Sequence, residues 1–65
     1  MPSMENVQDA LVRCLRQEPP KDYRLSSDAS QLATVWAEMR WNGEANRPLE
    51  ALSAKQATAF ARWKR

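Results

Sequence analysis

Histidine is absent from this sequence of 65 residues, and cysteine and glycine each occur once. Without histidine, the chain lacks the usual zinc ligand and the side chain that most often moves protons near neutral pH. The single cysteine, Cys14, excludes a disulfide within the chain and is typical of a reducing compartment. We therefore expect neither a metal site nor any other cofactor.

Long apolar runs are also missing. No segment approaches the roughly 18 apolar residues that a membrane-spanning helix needs. Residues 1–6 contain no basic side chain and no apolar stretch, so a secretory signal is not expected. These features predict a cytoplasmic protein that does not act at a membrane.

The residue types present do not favour catalysis. No nucleophile can be paired with a histidine base, and Cys14 falls on the apolar face of a helical pattern, where burial raises the pKa of a thiol. The carboxylates are scattered singly, and no glycine-rich phosphate loop occurs. The sequence therefore predicts neither an enzyme nor a small-molecule substrate.

Apolar residues recur at helical spacing in three segments, at about 4–18, 28–42 and 53–64. The proline pair at 19–20 ends the first segment, and Gly43 suits the left-handed residue that follows a helix. Ser53 and Gln56 form a capping box at the start of the third. No strand pattern appears. The sequence predicts a single all-α domain over residues 1–65, a small three-helix bundle.

The core is expected along the apolar faces of these helices. The main candidates on the helices are Met4, Val7, Leu11, Cys14, Leu15, Leu32, Val35, Trp36, Met39, Ala57, Phe60, Ala61 and Trp63. In the connectors, four further side chains are expected to anchor to this core: Tyr23, Leu25, Leu49 and Leu52.

Trp41 departs from this pattern. In the second helix it falls nearly opposite Val35 and Met39 on a helical wheel. The simpler interpretation is that the connector 44–52 or the N-terminal segment folds over its ring. An exposed tryptophan, in contrast, is typical of protein interfaces. In that case Trp41, with the adjacent Arg40, is the candidate site for a protein partner or for self-association.

Charge is unevenly distributed along the chain. Residues 1–38 carry four basic and six acidic side chains, whereas residues 39–65 carry six basic and two acidic ones. The basic residues of the last segment are Lys55, Arg62, Lys64 and Arg65. Such a basic helix can contact the phosphates of a nucleic acid, although most charged helix faces are only solvated.

Two features disfavour DNA recognition. The connector 43–52 is longer than the roughly three or four residues of a helix-turn-helix turn. The basic residues also concentrate at the end of the third helix, whereas recognition helices read bases from their N-terminal residues. A protein-interaction or regulatory module is therefore the leading hypothesis, and a nucleic-acid-binding domain is the alternative.

The second half of the chain carries three short motifs. They are Leu32-Ala33-Thr34-Val35-Trp36-Ala37-Glu38-Met39, then Pro48-Leu49 with Leu52, and finally Ala61-Arg62-Trp63. In these motifs the sequence resembles a family of small uncharacterised bacterial proteins, a domain of unknown function. The resemblance covers roughly the last 35 residues, and the chain departs from the family pattern in its first helix and its final residues. It implies a bacterial single-domain protein, and it assigns no activity and no site residue.

Overall fold

Three α-helices form the architecture. The computed structural model describes residues 2–22 and 24–64, and within them no β-strand forms. The helices are α1 (Met4–Gln17), α2 (Ser27–Asn42) and α3 (Ala54–Trp63), and a short 3-10 turn (Leu49–Ala51) precedes α3. The predicted all-α three-helix bundle is confirmed, with each helix boundary within one residue of its expected position.

Side-chain caps determine where the helices begin. The Ser3 hydroxyl accepts a hydrogen bond from the Asn6 amide at 3.1 Å, and the Asn6 side chain accepts one from the Ser3 amide, also at 3.1 Å. Ser53 and Gln56 form the same reciprocal pair at the start of α3, as predicted. These bonds satisfy amides that have no partner inside a helix.

α2 begins one residue earlier than predicted because Ser26 is its N-cap. The Ser26 hydroxyl accepts a hydrogen bond from the Ala29 amide at 3.2 Å. At the other end, Gly43 has a left-handed φ of 67°, and the Glu44 amide donates to the Met39 carbonyl at 2.8 Å. The glycine therefore ends α2 in the way that its sequence position predicts.

The three helices enclose one apolar core. Its buried members are Val7, Ala10, Cys14, Ala29, Leu32, Val35, Met39, Leu52, Ala59 and Phe60. Partly buried apolar side chains pack against it: Met4, Leu11, Leu15, Trp36, Ala57 and Trp63. Most of the predicted core is therefore correct, including Leu52 in the connector before α3.

Three predicted core positions are wrong. Leu25 and Leu49 are 44% and 51% exposed, and Ala61 is also exposed. On α3 the buried face is centred on Ala59 and Phe60, which leaves Ala61 on the outer side. The prediction for Tyr23 lies outside the described residues.

The connector between α2 and α3 runs beside the N-terminal segment of the chain. The Met4 amide donates to the Ala45 carbonyl, and the Arg47 amide donates to the Pro2 carbonyl, each at 2.9 Å. Between these bonds, Ser3 and Asn46 form an isolated antiparallel bridge. This pairing directs the connector along the start of α1.

Candidate protein-interaction site

Trp41 lies on the last turn of α2, and 91% of its surface is exposed. The expectation that the connector or the N-terminal segment covers its ring is therefore wrong. The physical reason is the backbone pairing of Ala45 with Met4 and of Arg47 with Pro2, which holds both segments together elsewhere. A fully exposed tryptophan on a capped helix is the most prominent apolar feature of this surface.

The neighbours of Trp41 on α2 are short or polar. Ala37 and Glu38 lie one helical turn before it and Thr34 two turns before, and all three are exposed. The Thr34 hydroxyl donates a hydrogen bond to the Ser30 carbonyl at 2.9 Å, so its donor is already used within the helix. We call Thr34, Ala37, Glu38 and Trp41 the Trp41 surface. On it the indole ring projects beyond its neighbours.

Arg40 is adjacent to Trp41 in sequence but contacts a different tryptophan. Its guanidinium carbon lies 5.5 Å from the centroid of the Trp36 ring, a cation–π geometry. Trp36 is half-buried, and its indole nitrogen is buried without a hydrogen-bond partner in the described part of the chain. Arg40 thus lies over the Trp36 ring and remains exposed.

Arg47 is a buried cation, with 9% of its surface exposed. Its Nη2 and Nε donate to the two carboxylate oxygens of Glu44 at 2.7 and 3.1 Å, and its Nη1 donates to Glu38 at 3.0 Å. The fork of the guanidinium thereby joins the connector to α2. Because Glu38 belongs to the Trp41 surface, this network restrains one neighbour of the exposed ring.

The same network shifts two pKa values. The hydrogen bonds from Arg47, and secondarily from Asn42, lower the pKa of Glu44, and the bonds to Glu44 and Glu38 raise the pKa of Arg47. Arg47 was not among the residues predicted from the sequence to hold the fold together. The sequence does place an arginine in the connector after the carboxylates of Glu38 and Glu44. Which of these carboxylates it binds, however, depends on the path of the connector.

The four residues predicted for nucleic-acid binding have unequal surroundings. Lys55 and Lys64 are exposed, whereas Arg62 donates to Asp28 at 2.8 Å across the α2–α3 contact. Arg65 lies outside the described residues. Arg47, a further basic residue of this half of the chain, is buried among carboxylates and therefore does not join a common basic surface.

Cys14 is the one cysteine, and it is fully buried. Its Sγ lies 3.6 Å from the Ser26 hydroxyl and 3.9 Å from a Glu18 carboxylate oxygen. Burial raises the pKa of this thiol, and the negative charge of Glu18 acts in the same direction. Both effects disfavour the thiolate, which is the nucleophilic form.

Residues 2–22 and 24–64 hold neither a metal-binding cluster nor a helix suited to a bilayer. No group of three or more potential metal-binding side chains comes together there. No helix in that part of the chain has the length and apolar character needed to cross a membrane.

Comparison with known proteins found no relatives. No protein-family model, no curated protein and no solved structure matches this chain. The resemblance to a family of small bacterial proteins therefore stays a prediction.

Proposed function

We propose that this chain is a protein-interaction or regulatory module without catalytic activity, and that Trp41 anchors its protein partner. The observation that carries the proposal is the 91% exposure of the Trp41 ring on a helix with both ends capped. A large aromatic side chain gains free energy when a partner removes it from water, and tryptophan is enriched among the residues that dominate binding energy.

The surroundings of Trp41 support this role. Its neighbours Thr34 and Ala37 are small and exposed, so a partner can approach the helix beside the ring. Arg40 and Glu38 supply charged groups at the margin, where they can form charge-assisted hydrogen bonds. Because Arg47 already orients Glu38, less conformational entropy is lost on binding than for a free glutamate.

The chemistry of the remaining polar groups supports a role without catalysis. Histidine is absent, and the burial of Cys14 disfavours its thiolate. The carboxylates of Glu38 and Glu44 accept hydrogen bonds from Arg47, and that of Asp28 accepts from Trp63 and Arg62. These groups thus stabilise the fold, in keeping with a binding protein.

We also propose a cytoplasmic location and a bacterial origin. The first rests on the unpaired Cys14, which suits a reducing compartment. The second rests on the resemblance in the α2 and α3 motifs alone. Detection of the tagged chain in separated cell fractions tests the location.

Site-specific photo-crosslinking tests the binding role. A photoreactive phenylalanine analogue replaces Trp41 in one variant and Thr58, an exposed residue of α3, in the control. A protein crosslinked only from position 41 is then purified and titrated with the unmodified chain. We expect Trp41→Ala to weaken binding about 30-fold, the effect of a 2 kcal/mol hot spot, and Thr58→Ala to leave it unchanged. Equal crosslinking from both positions, or equal affinities of both variants, contradicts the proposal.

Nucleic-acid binding stays the alternative. The exposure of Lys55 and Lys64 favours it, whereas the engagement of Arg62 with Asp28 opposes it. Fluorescence anisotropy with duplex and single-stranded DNA, at low and physiological salt, decides the matter. Binding that falls steeply with salt and weakens in a Lys55→Ala, Lys64→Ala variant supports this alternative, because phosphate contacts release counterions.

A further inference from the structure

The outward side of α1 carries a line of three exposed residues. Glu5, Val12 and Arg16 are spaced by seven and four positions, which places them on one stripe of the helix. Val12 is 39% exposed and lies outside the core cluster. We call these three residues the α1 stripe.

Apolar surface continues beside the α1 stripe. Leu11 and Leu15 adjoin Val12 on α1 and are only partly buried, although they pack against the core. The helix therefore offers an apolar centre at Val12 with a charged residue of opposite sign at each end. Such an arrangement combines burial of apolar area with electrostatic selection of orientation.

The charges of α1 are ordered along its length. The acidic residues Glu5 and Asp9 occupy its first half, and the basic residues Arg13 and Arg16 occupy its second half. Two copies of this helix packed in parallel would place like charges together. Two copies packed antiparallel instead place acidic halves against basic halves, and the antiparallel helix dipoles agree with that orientation.

We propose that the α1 stripe is a homodimer interface, with a second copy of this chain as its occupant. The two α1 helices pack antiparallel about a two-fold axis, and Glu5 of each copy pairs with Arg16 of the other. The midpoint between positions 5 and 16 falls within two residues of Val12, so Val12 lies roughly 2–3 Å along the helix from the axis. The two Val12 side chains therefore meet near the centre of the interface.

Self-complementarity identifies the occupant as a second copy. An isologous interface requires that one surface match itself after a two-fold rotation, which an acidic half followed by a basic half achieves. The small size of the chain adds a thermodynamic reason, because a chain of about 60 residues buries only about 60% of its unfolded surface. Dimerisation adds buried apolar area that a single copy lacks.

This inference does not rest on the proposed role of Trp41, which belongs to α2. Trp41→Ala is expected to leave dimerisation unchanged. If both proposals hold, each dimer displays two Trp41 surfaces and binds a divalent partner with increased avidity.

Charge reversal tests the α1 stripe in the full chain. Sedimentation equilibrium over a range of concentrations measures the dimer dissociation constant of wild type, Glu5→Lys, Arg16→Glu and the double variant. We expect each single reversal to weaken dimerisation at least about tenfold, because two attractive pairs become repulsive. The double variant restores the two ion pairs with their signs exchanged. Its dimer dissociation constant is therefore expected to lie within about threefold of the wild-type value.

Matched controls separate this interface from a general charge effect. Glu50→Lys and Lys55→Glu reverse exposed charges outside α1 and are expected to leave the dissociation constant unchanged. Circular dichroism verifies that each variant keeps its helices, since Glu5→Lys also opposes the α1 dipole. Val12→Asp is expected to abolish the dimer by placing two carboxylates near the axis.

Three results would overturn the proposal. The first is a monomeric wild type at every concentration, including low salt. The second is a dimer that the single reversals and Val12→Asp leave intact. The third is a folded double variant that remains as weakly associated as the single reversals.

Discussion

Asp28, in the first turn of α2, accepts a 2.9 Å hydrogen bond from the indole nitrogen of Trp63, the last residue of α3. The same carboxylate oxygen accepts a 2.8 Å bond from the Arg62 guanidinium. The Trp63 carbonyl in turn accepts a bond from Arg13 of α1 at 3.2 Å. The end of α3 is thus attached to both other helices through polar contacts.

These contacts predict that Asp28→Ala destabilises the fold. The substitution leaves the partly buried indole N–H of Trp63 without its acceptor, and we expect a loss of about 1–2 kcal/mol. Urea denaturation followed by circular dichroism measures it. Arg62→Ala is the matched control, because it removes only the exposed ion pair and should cost no more than about 0.5 kcal/mol. Equal losses in the two variants would show that the indole bond is unimportant.

Arg47→Ala is predicted to loosen the connector between α2 and α3. It removes three side-chain hydrogen bonds to Glu38 and Glu44, while the backbone bond from residue 47 to Pro2 remains available. Both carboxylates are partly exposed and regain water, so we expect a loss of about 1–2 kcal/mol. Thermal denaturation measures it.

Arg47→Lys is the informative companion. Lysine keeps the positive charge but lacks the planar fork that binds both oxygens of Glu44. The stability of Arg47→Lys is expected to fall between those of wild type and Arg47→Ala. If Arg47→Lys is instead as stable as wild type, charge alone, without the guanidinium geometry, holds the connector.

The helices were predictable because their limits depend on local chemistry. Ser3, Ser53, Gly43 and the proline pair act within a few residues of themselves, and the boundaries agree within one residue. Trp41 was not predictable in the same way. Its exposure depends on where the connector runs, and this path depends on backbone bonds to Pro2 and Met4, which are distant in sequence.

The Glu44–Arg47 pair predicts lower stability in acid. The lowered pKa of Glu44 means that the unfolded chain takes up its proton at a higher pH than the folded chain. Stability from this pair is therefore present above the ordinary glutamate pKa, ~4.3, and is lost as pH falls through the folded value. Urea denaturation at a series of pH values measures the slope. Glu44→Gln is expected to reduce the slope of stability against pH below the ordinary glutamate pKa. An unchanged slope would show that other carboxylates cause the acid sensitivity.

The two tryptophans of α2 predict unequal effects on stability. Trp41→Ala removes a ring that is already in water, so stability should change by no more than about 0.5 kcal/mol. Trp36→Ala removes a half-buried ring that packs against the core and under Arg40, and we expect a loss of about 2–3 kcal/mol. Chemical denaturation of both variants measures the two changes in stability. A large loss in Trp41→Ala would show that its ring has a structural contact in solution.

Cys14 offers a chemical measure of how often the bundle opens. Its Sγ is buried and its thiol pKa is raised by that burial, so a disulfide reagent can react only after the α1–α2 contact opens. A small domain typically has a free energy of unfolding of about 5 kcal/mol. We therefore expect the Cys14 thiol to react at least ~1000-fold more slowly in the native chain than in the chain unfolded by urea. The reaction of Cys14 with an aromatic disulfide, followed by absorbance, measures both rates.

Asp28→Ala should accelerate the native reaction in proportion to its loss of stability, if the thiol becomes accessible through global unfolding. A loss of stability with an unchanged reaction rate would instead mean that Cys14 is reached by a local opening near Ser26, which is the hydroxyl closest to its sulfur.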